Sequence, residues 1–270
     1  MPTTTSAPLA VTDIGTGGPA LLLIPGWCGD RTVFDPLLAS AGGHRRVVSV
    51  DLPAHGGSPA PDGDFGTSEV VDALVATIEA LGIDTVVPVG LSHAGWAALE
   101  LRRRLGPDRV PGVVLLDWMV LGTPPGFADA LAGLQSPAWA DVRAGLAAMW
   151  TDGLDVPALT EYVASMTTYG ERHWQRAGRE IAAAFEEHPV PLQALEELQP
   201  CPALHLYAQP AADEVLAAQQ EYAATHPWFS VQRLDARSHF PMFEVADDMV
   251  AAIEAFVPGV VHLSVSVSAP

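Results

Sequence analysis

The chain has 270 residues, 49% of them hydrophobic, enough for one large core with or without an inserted cap. Its formal charge is −19 and all 13 basic residues are arginines, which argues against nucleic acid and anionic membrane surfaces as partners. No apolar run reaches membrane-spanning length, residues 1–10 carry no signal-peptide pattern, and Cys28 and Cys201 fall in no metal or redox spacing, so a cytoplasmic protein is expected.

In chain order, residues 8–14 and 20–24 read as two strands joined by the turn Thr16-Gly17-Gly18-Pro19. The loop Pro25-Gly26-Trp27-Cys28-Gly29-Asp30 follows, then a helix over about 32–39. A strand at 46–50 runs into the turn-rich stretch from Asp51 to Ser58, and a helix is predicted over about 68–81. Residues 86–89 form a β-branched strand. Residues 113–116 form a fully apolar one, as a central parallel strand covered on both faces requires. From Trp118 to about Leu195 the strands give way to helical segments broken by Pro124-Pro125, Pro137, Gly153 and Pro157. Strand patterning resumes at 203–207 and 229–234, with helices near 213–224 and 243–256. The alternation predicts an α/β fold with a doubly wound, mostly parallel sheet. Its core would span about 1–117 and 196–258, with a helical cap over about 118–195 inserted after the sixth strand. The tail 260–267 alternates apolar and polar residues, a pattern that fits an edge strand or a disordered end equally.

Within this pattern, Val86-Val87-Pro88-Val89-Gly90-Leu91-Ser92-His93-Ala94-Gly95-Trp96 is a strand, a small-x-Ser-x-small turn and a helix start. It resembles the nucleophile elbow of the α/β-hydrolase fold, where small residues let strand turn sharply into helix and expose a serine at the sheet edge. Such a serine needs a base from a loop before the last helix, and His239 in Arg237-Ser238-His239-Phe240-Pro241 stands there. Two carboxylates could orient it. Asp117 closes the apolar strand at 113–116, whereas Asp213 follows the next strand, the commoner place for the acid in this fold. Burial cost and the cap-like setting of Asp213 favour Asp117. The backbone N–H groups of Trp27 and His93 would form an oxyanion hole, and Trp150 in the cap would close the pocket opposite the Trp27 indole. The other histidines, His55 and His205 among them, show no ligand spacing and read as surface or core residues, so no metal site is expected.

Taken together, several segments resemble one family, the cofactor-independent 2,4-dioxygenases of 3-hydroxy-4(1H)-quinolones. They are Leu21 to Cys28, Ser92-His93-Ala94-Gly95-Trp96, Asp117-Trp118, Trp150-Thr151-Asp152-Gly153, Tyr169-Gly170, Trp174 to Arg179, His226 to Ser230, and Ser238-His239-Phe240-Pro241. The match runs from about Leu21 to Phe256 and includes the cap. The resemblance implies that His239, held by Asp117, removes the proton of a substrate 3-hydroxyl while Ser92 only positions the ring. It implies that Trp27 and His93 hold the C4 oxygen, and that the substrate anion itself reacts with O2 to give an N-acylanthranilate and carbon monoxide. No cofactor is expected, the partners being O2 and a small aromatic N-heterocycle bound by a monomer or small homo-oligomer. Gly90-Leu91 and Gly29 depart from one family member, which has Ser-His and His there, at positions that bear on substrate identity. The same residues would also serve a serine esterase, amidase or C–C hydrolase with Ser92 as nucleophile. A non-catalytic binding cup would have no use for the complete set.

Overall fold

The structure is a computed structural model that describes residues 8–41, 43, 45–198 and 201–267, with side chains described as far as residue 260. Seven strands form one sheet: β1 (Val11–Ile14), β2 (Ala20–Ile24), β3 (Val47–Val50), β4 (Val86–Leu91), β5 (Val113–Leu116), β6 (Ala203–Tyr207) and β7 (Phe229–Arg233). Their order is β1-β3-β2-β4-β5-β6-β7, and every pair is parallel except β1 with β3. The first two strands, joined by a turn as predicted, are not neighbours, because β3 inserts between them. Strands β2 to β6 are buried along their whole length, which is why they read as apolar runs rather than alternating ones.

Helices α1 (Asp35–Ser40), α2 (Thr67–Ala80) and α3 (Ala94–Arg109) connect the first strands. Helix α3 is interrupted at Gly106, whose φ of 76° ends its regular part. Between β5 and β6 the described residues form five helices: α4 (Phe127–Leu134), α5 (Trp139–Thr151), α6 (Pro157–Met166), α7 (Glu171–Glu187) and α8 (Pro191–Glu197). This insertion follows the fifth strand among the described residues, not the sixth, because the chain ahead of it supplies only β1 to β5. Helix α5 packs on α4, α6 and α7, yet none of its residues is buried. Helices α9 (Asp213–Thr225) and α10 (Ala246–Val267) complete the layers. The 260–267 stretch thus continues a helix instead of adding a strand, while His44 and residues 268–270 lie outside the described residues. Among the described residues no helix is long and apolar enough to cross a membrane.

The turn from β4 into α3 needs its small residues. A Cβ on Gly90 would stand 2.5 Å from the Ala94 carbonyl oxygen, and one on Gly95 would fall inside the Trp118 indole. That indole meets Trp96 edge-on with centroids 4.8 Å apart, so it has no room to retreat. Gly95→Ala should therefore cost about 1–3 kcal/mol of stability through overpacking. A urea midpoint equal to that of the unmodified protein would contradict this packing.

Candidate active site

Four loops at the carboxyl ends of β2, β4, β5 and β7 converge, the edge where open parallel sheets bind ligands. Ser92 follows β4 with φ 54° and Asp117 follows β5 with φ 46°, both in the left-handed region that costs a side-chain-bearing residue energy. The surrounding ladder holds them there: Ser92 N–H donates to the Leu116 carbonyl at 2.8 Å and Asp117 N–H to that of Leu206 at 2.8 Å. The Asp117 carboxylate is buried and fully engaged. Its Oδ1 accepts from the Ala208 and Gln209 amides at 2.6 and 2.9 Å, and its Oδ2 faces His239 Nδ1 at 2.6 Å. That bond places the proton on Nδ1 and leaves Nε2 as an acceptor.

The loop carrying His239 is tied down separately. Glu244 accepts from the Arg237 and Ser238 amides, and Gln209 Nε2 donates to the Arg237 carbonyl at 2.9 Å. Asp213 stands apart from this group. It begins α9, its side chain is 92% exposed, and it pairs with Arg233 at 2.8 Å. The structure thus joins His239 to Asp117 and not to Asp213. Neither Ser92 Oγ nor His239 Nε2 has a hydrogen-bond partner among the described residues, so the two are not coupled as nucleophile and base in this state.

The loop after β2 lies against the elbow, a Cβ on Gly26 falling in ordinary contact 3.8 Å from the Ser92 Cβ. The N–H groups of Trp27 and His93 have no acceptor among the described residues, as a pair awaiting a developing oxyanion requires. The next residue, Cys28, has φ 59°, and its N–H donates to His55 Nε2 at 3.1 Å. His55 Nδ1 in turn donates to the Pro53 carbonyl at 2.8 Å. Within β6, His205 makes the same kind of bond. Its Nε2 accepts from the Trp118 amide at 3.3 Å and its Nδ1 donates to Gln219 Oε1 at 2.6 Å. Burial lowers both imidazoles to about 4, so each is neutral and able to accept. These two histidines were indistinguishable in sequence from ordinary core residues, because their role depends on which backbone amide folds against them. The only local signal is the turn-rich stretch around His55.

Rings wall the site. Trp150 from α5 stacks on His239 with centroids 5.8 Å apart and planes 18° from parallel. Trp27 packs against His55 at 5.9 Å and Phe65 at 6.0 Å, and His55 against Tyr169 at 4.9 Å and His173 at 5.2 Å. Two bonds fasten this side to the loop after β3: His173 Nε2 donates to the Ala54 carbonyl at 3.0 Å, and Gly56 N–H to Tyr169 Oη at 3.0 Å. Gly29 is explained by Tyr162, whose hydroxyl occupies the place a Cβ would take. The His93 ring is buried with neither nitrogen bonded, and burial alone lowers it to about 3. Among the described residues no three His, Cys, Asp or Glu side chains are grouped to hold a metal ion.

This sheet, elbow and acid–base pair define an alpha/beta hydrolase, and the sequence model of the alpha/beta hydrolase family matches residues 21–253. The chain is 35% identical over 237 residues to the 2-heptyl-3-hydroxy-4(1H)-quinolone dioxygenase of Mycobacteroides abscessus, a match covering 87% of this chain and 88% of the relative. It is 32% identical over 244 residues to the 1H-3-hydroxy-4-oxoquinoline 2,4-dioxygenase of Pseudomonas putida, covering 88% and 91%. A solved structure of a protein that recognises and cleaves the ring of the Pseudomonas quinolone signal, in complex with its substrate, has a TM-score of 0.88. It is 34% identical, with 93% of this chain and 96% of that one covered. The chain belongs to the 3-hydroxy-4-quinolone dioxygenases of the alpha/beta hydrolase family.

The buried histidines give the fold an acid limit. His55, His93 and His205 lie below their ordinary 6.5 when folded, so between that value and about 4 the unfolded chain binds protons the folded one refuses. Their stabilising effect is complete above pH 6.5 and is lost as pH falls towards 4, by about 1.4 kcal/mol per pH unit for each imidazole. His93→Leu should flatten the pH dependence of the unfolding free energy by one such increment over pH 6–4. An unchanged slope would show that His93 is not held neutral.

Proposed function

We propose that the protein cleaves a 2-alkyl-3-hydroxy-4(1H)-quinolone with O2 to an N-acylanthranilate and carbon monoxide, using no metal or organic cofactor. The observation that carries this is the Asp117–His239 pair, whose Nε2 is free to take a proton from substrate instead of from Ser92. The names of the relatives, matched over nearly nine-tenths of the chain, support the substrate class. The hydrolase alternative uses the same residues, but the relatives matched over most of the chain are dioxygenases.

In this mechanism His239 Nε2 removes the 3-hydroxyl proton, and the imidazolium is stabilised by Asp117. The Trp27 and His93 amides receive the C4 oxygen as charge spreads over the ring, and Ser92 Oγ hydrogen-bonds the substrate. Trp150 and Trp27 enclose the ring between aromatic faces and exclude water. The anion supplies the electrons that reduce O2, forming a C2 peroxide whose distal oxygen closes on C4. The O–O, C2–C3 and C3–C4 bonds then break. C3 departs with its oxygen as carbon monoxide, while one O2 atom stays on C2 as the amide oxygen and the other on C4 in the carboxylate. The proton held by His239 balances the carboxylate formed. The helices from about 118 to 195 serve as a cap over a core of about 1–117 and 196–258, and the buried free thiols of Cys28 and Cys201 suit a reducing, cytoplasmic setting.

Oxygen uptake and headspace carbon monoxide should both appear with 2-methyl- or 2-heptyl-3-hydroxy-4(1H)-quinolone, and neither under nitrogen. No oxygen uptake with either, alongside an esterase activity that needs Ser92, would overturn the proposal. His239→Ala should slow turnover by about 10²–10⁴-fold while still binding the quinolone. Asp117→Asn should be strongly impaired and Asp213→Asn close to normal in side-by-side kinetics, and the reverse order would move the acid to the next strand.

Ser92→Ala separates the two chemistries. A lost hydrogen bond to a charged group is worth roughly 1.5–3 kcal/mol, or about a ten- to hundredfold slowing. A covalent nucleophile would be indispensable. Complete loss of oxygen uptake in folded Ser92→Ala would contradict the positioning role.

A further inference from the structure

Beyond the ring wall lies a groove of about 810 Å3 between α7 and the loop ahead of α2. None of Ser92, Asp117, Trp150 or His239 lines it. Its lining includes Ala54, Phe65 and three arginines, Arg172, Arg176 and Arg179, of which Arg172 is exposed while the Arg176 side chain is only 11% exposed. The spacing of these three puts them on one face of α7. They are three of the chain's 13 basic residues, set against a single lining carboxylate, Asp64, in a protein of net charge −19.

That carboxylate is already shared. Asp64 accepts from Arg176 at 3.1 Å and Arg179 at 2.8 Å. Glu180 also takes Arg179, at 3.0 Å, but its other oxygen accepts from the Thr67 amide at 2.7 Å. Arg172 has no hydrogen bond or ion pair among the described residues. Arg176 lies over the Phe65 ring at 3.8 Å, which makes a flat cationic and aromatic shelf. A concave site with a spare guanidinium beside a cationic and aromatic shelf suits a planar aryl carboxylate.

The groove is one layer of rings from the catalytic side, since Phe65 packs on Trp27 and His173 on His55. The proposed reaction turns a neutral ring into a carboxylate, so its product and not its substrate has the chemistry the groove recognises. We infer that the groove is a second site, which binds the N-acylanthranilate product as an anion. This rests on the dioxygenase function proposed above.

The test titrates N-octanoylanthranilate and its uncharged methyl ester calorimetrically into the intact protein, beside Arg172→Glu. The acid should bind the unmodified protein and the ester far less well. Arg172→Glu should weaken the acid about fivefold, as loss of a partly exposed ion pair does. KM and kcat for the quinolone should be unchanged, since Arg172 lies outside the catalytic group. Equal affinity of both proteins for the acid, or an ester as tight as the acid, would overturn the site. Because the titration needs no turnover, a protein that binds the acid through Arg172 yet consumes no oxygen would retain the groove and lose only the dioxygenase function.

Discussion

The Asp117 carboxylate is buried beneath three donors, two amides from the end of β6 and the His239 ring, and the rest of the site is arranged around it. Buried without partners, such a charge would be untenable. With them it is satisfied, and it cannot turn without breaking one. Three strand ends are therefore fastened to one group: β5 supplies the acid, β6 the amides and β7 the imidazole. The His239 imidazole thus has a fixed tautomer and direction set by the protein alone.

Backbone strain is concentrated at the same edge. Cys28, Ala54, Ser92 and Asp117 are the non-glycine residues with positive φ among the described residues, and all four stand in loops at the carboxyl ends of β2 to β5. Two of these loops are braced by a neutral imidazole that accepts an amide: Cys28 by His55, and the Asp117–Trp118 turn by His205. A lysine or arginine in either place would offer no acceptor, and a carboxylate would bring a charge into the core. Histidine is the long neutral acceptor that can also donate from its other side to Pro53 or Gln219.

Much of this architecture could be read from the chain. Apolar strands, the small residues of the elbow, the late histidine and the carboxylate closing β5 are local patterns; the expected N-cap role of Asp213 is not seen, since Ala212 precedes α9 and Asp213 pairs with Arg233 instead. What escaped is non-local. The insertion of β3 between β1 and β2 is a choice of partner that no single segment encodes. The roles of His55 and His205 depend on amides 27 and 87 positions away along the chain. Gly29 reads as a loop glycine until Tyr162 arrives from α6 to fill its side-chain space. The 260–267 tail alternates as a strand would, yet it continues α10 because a helix already in progress needs no new nucleus.

Helix α5 has no buried residue, and it carries the Trp150 ring that lies over His239. The ring over the imidazole is therefore carried by a helix that packs on the core through partly buried side chains such as Val142 and Leu146. Its main contacts run to α4, α6 and α7, the other helices of the insertion, and not to the strand ends that hold the imidazole. The cover over the His239 ring is thus set by helix packing within the insertion, and the direction of that ring by the sheet, so a substitution among the insertion helices would alter the enclosure of the imidazole without turning it.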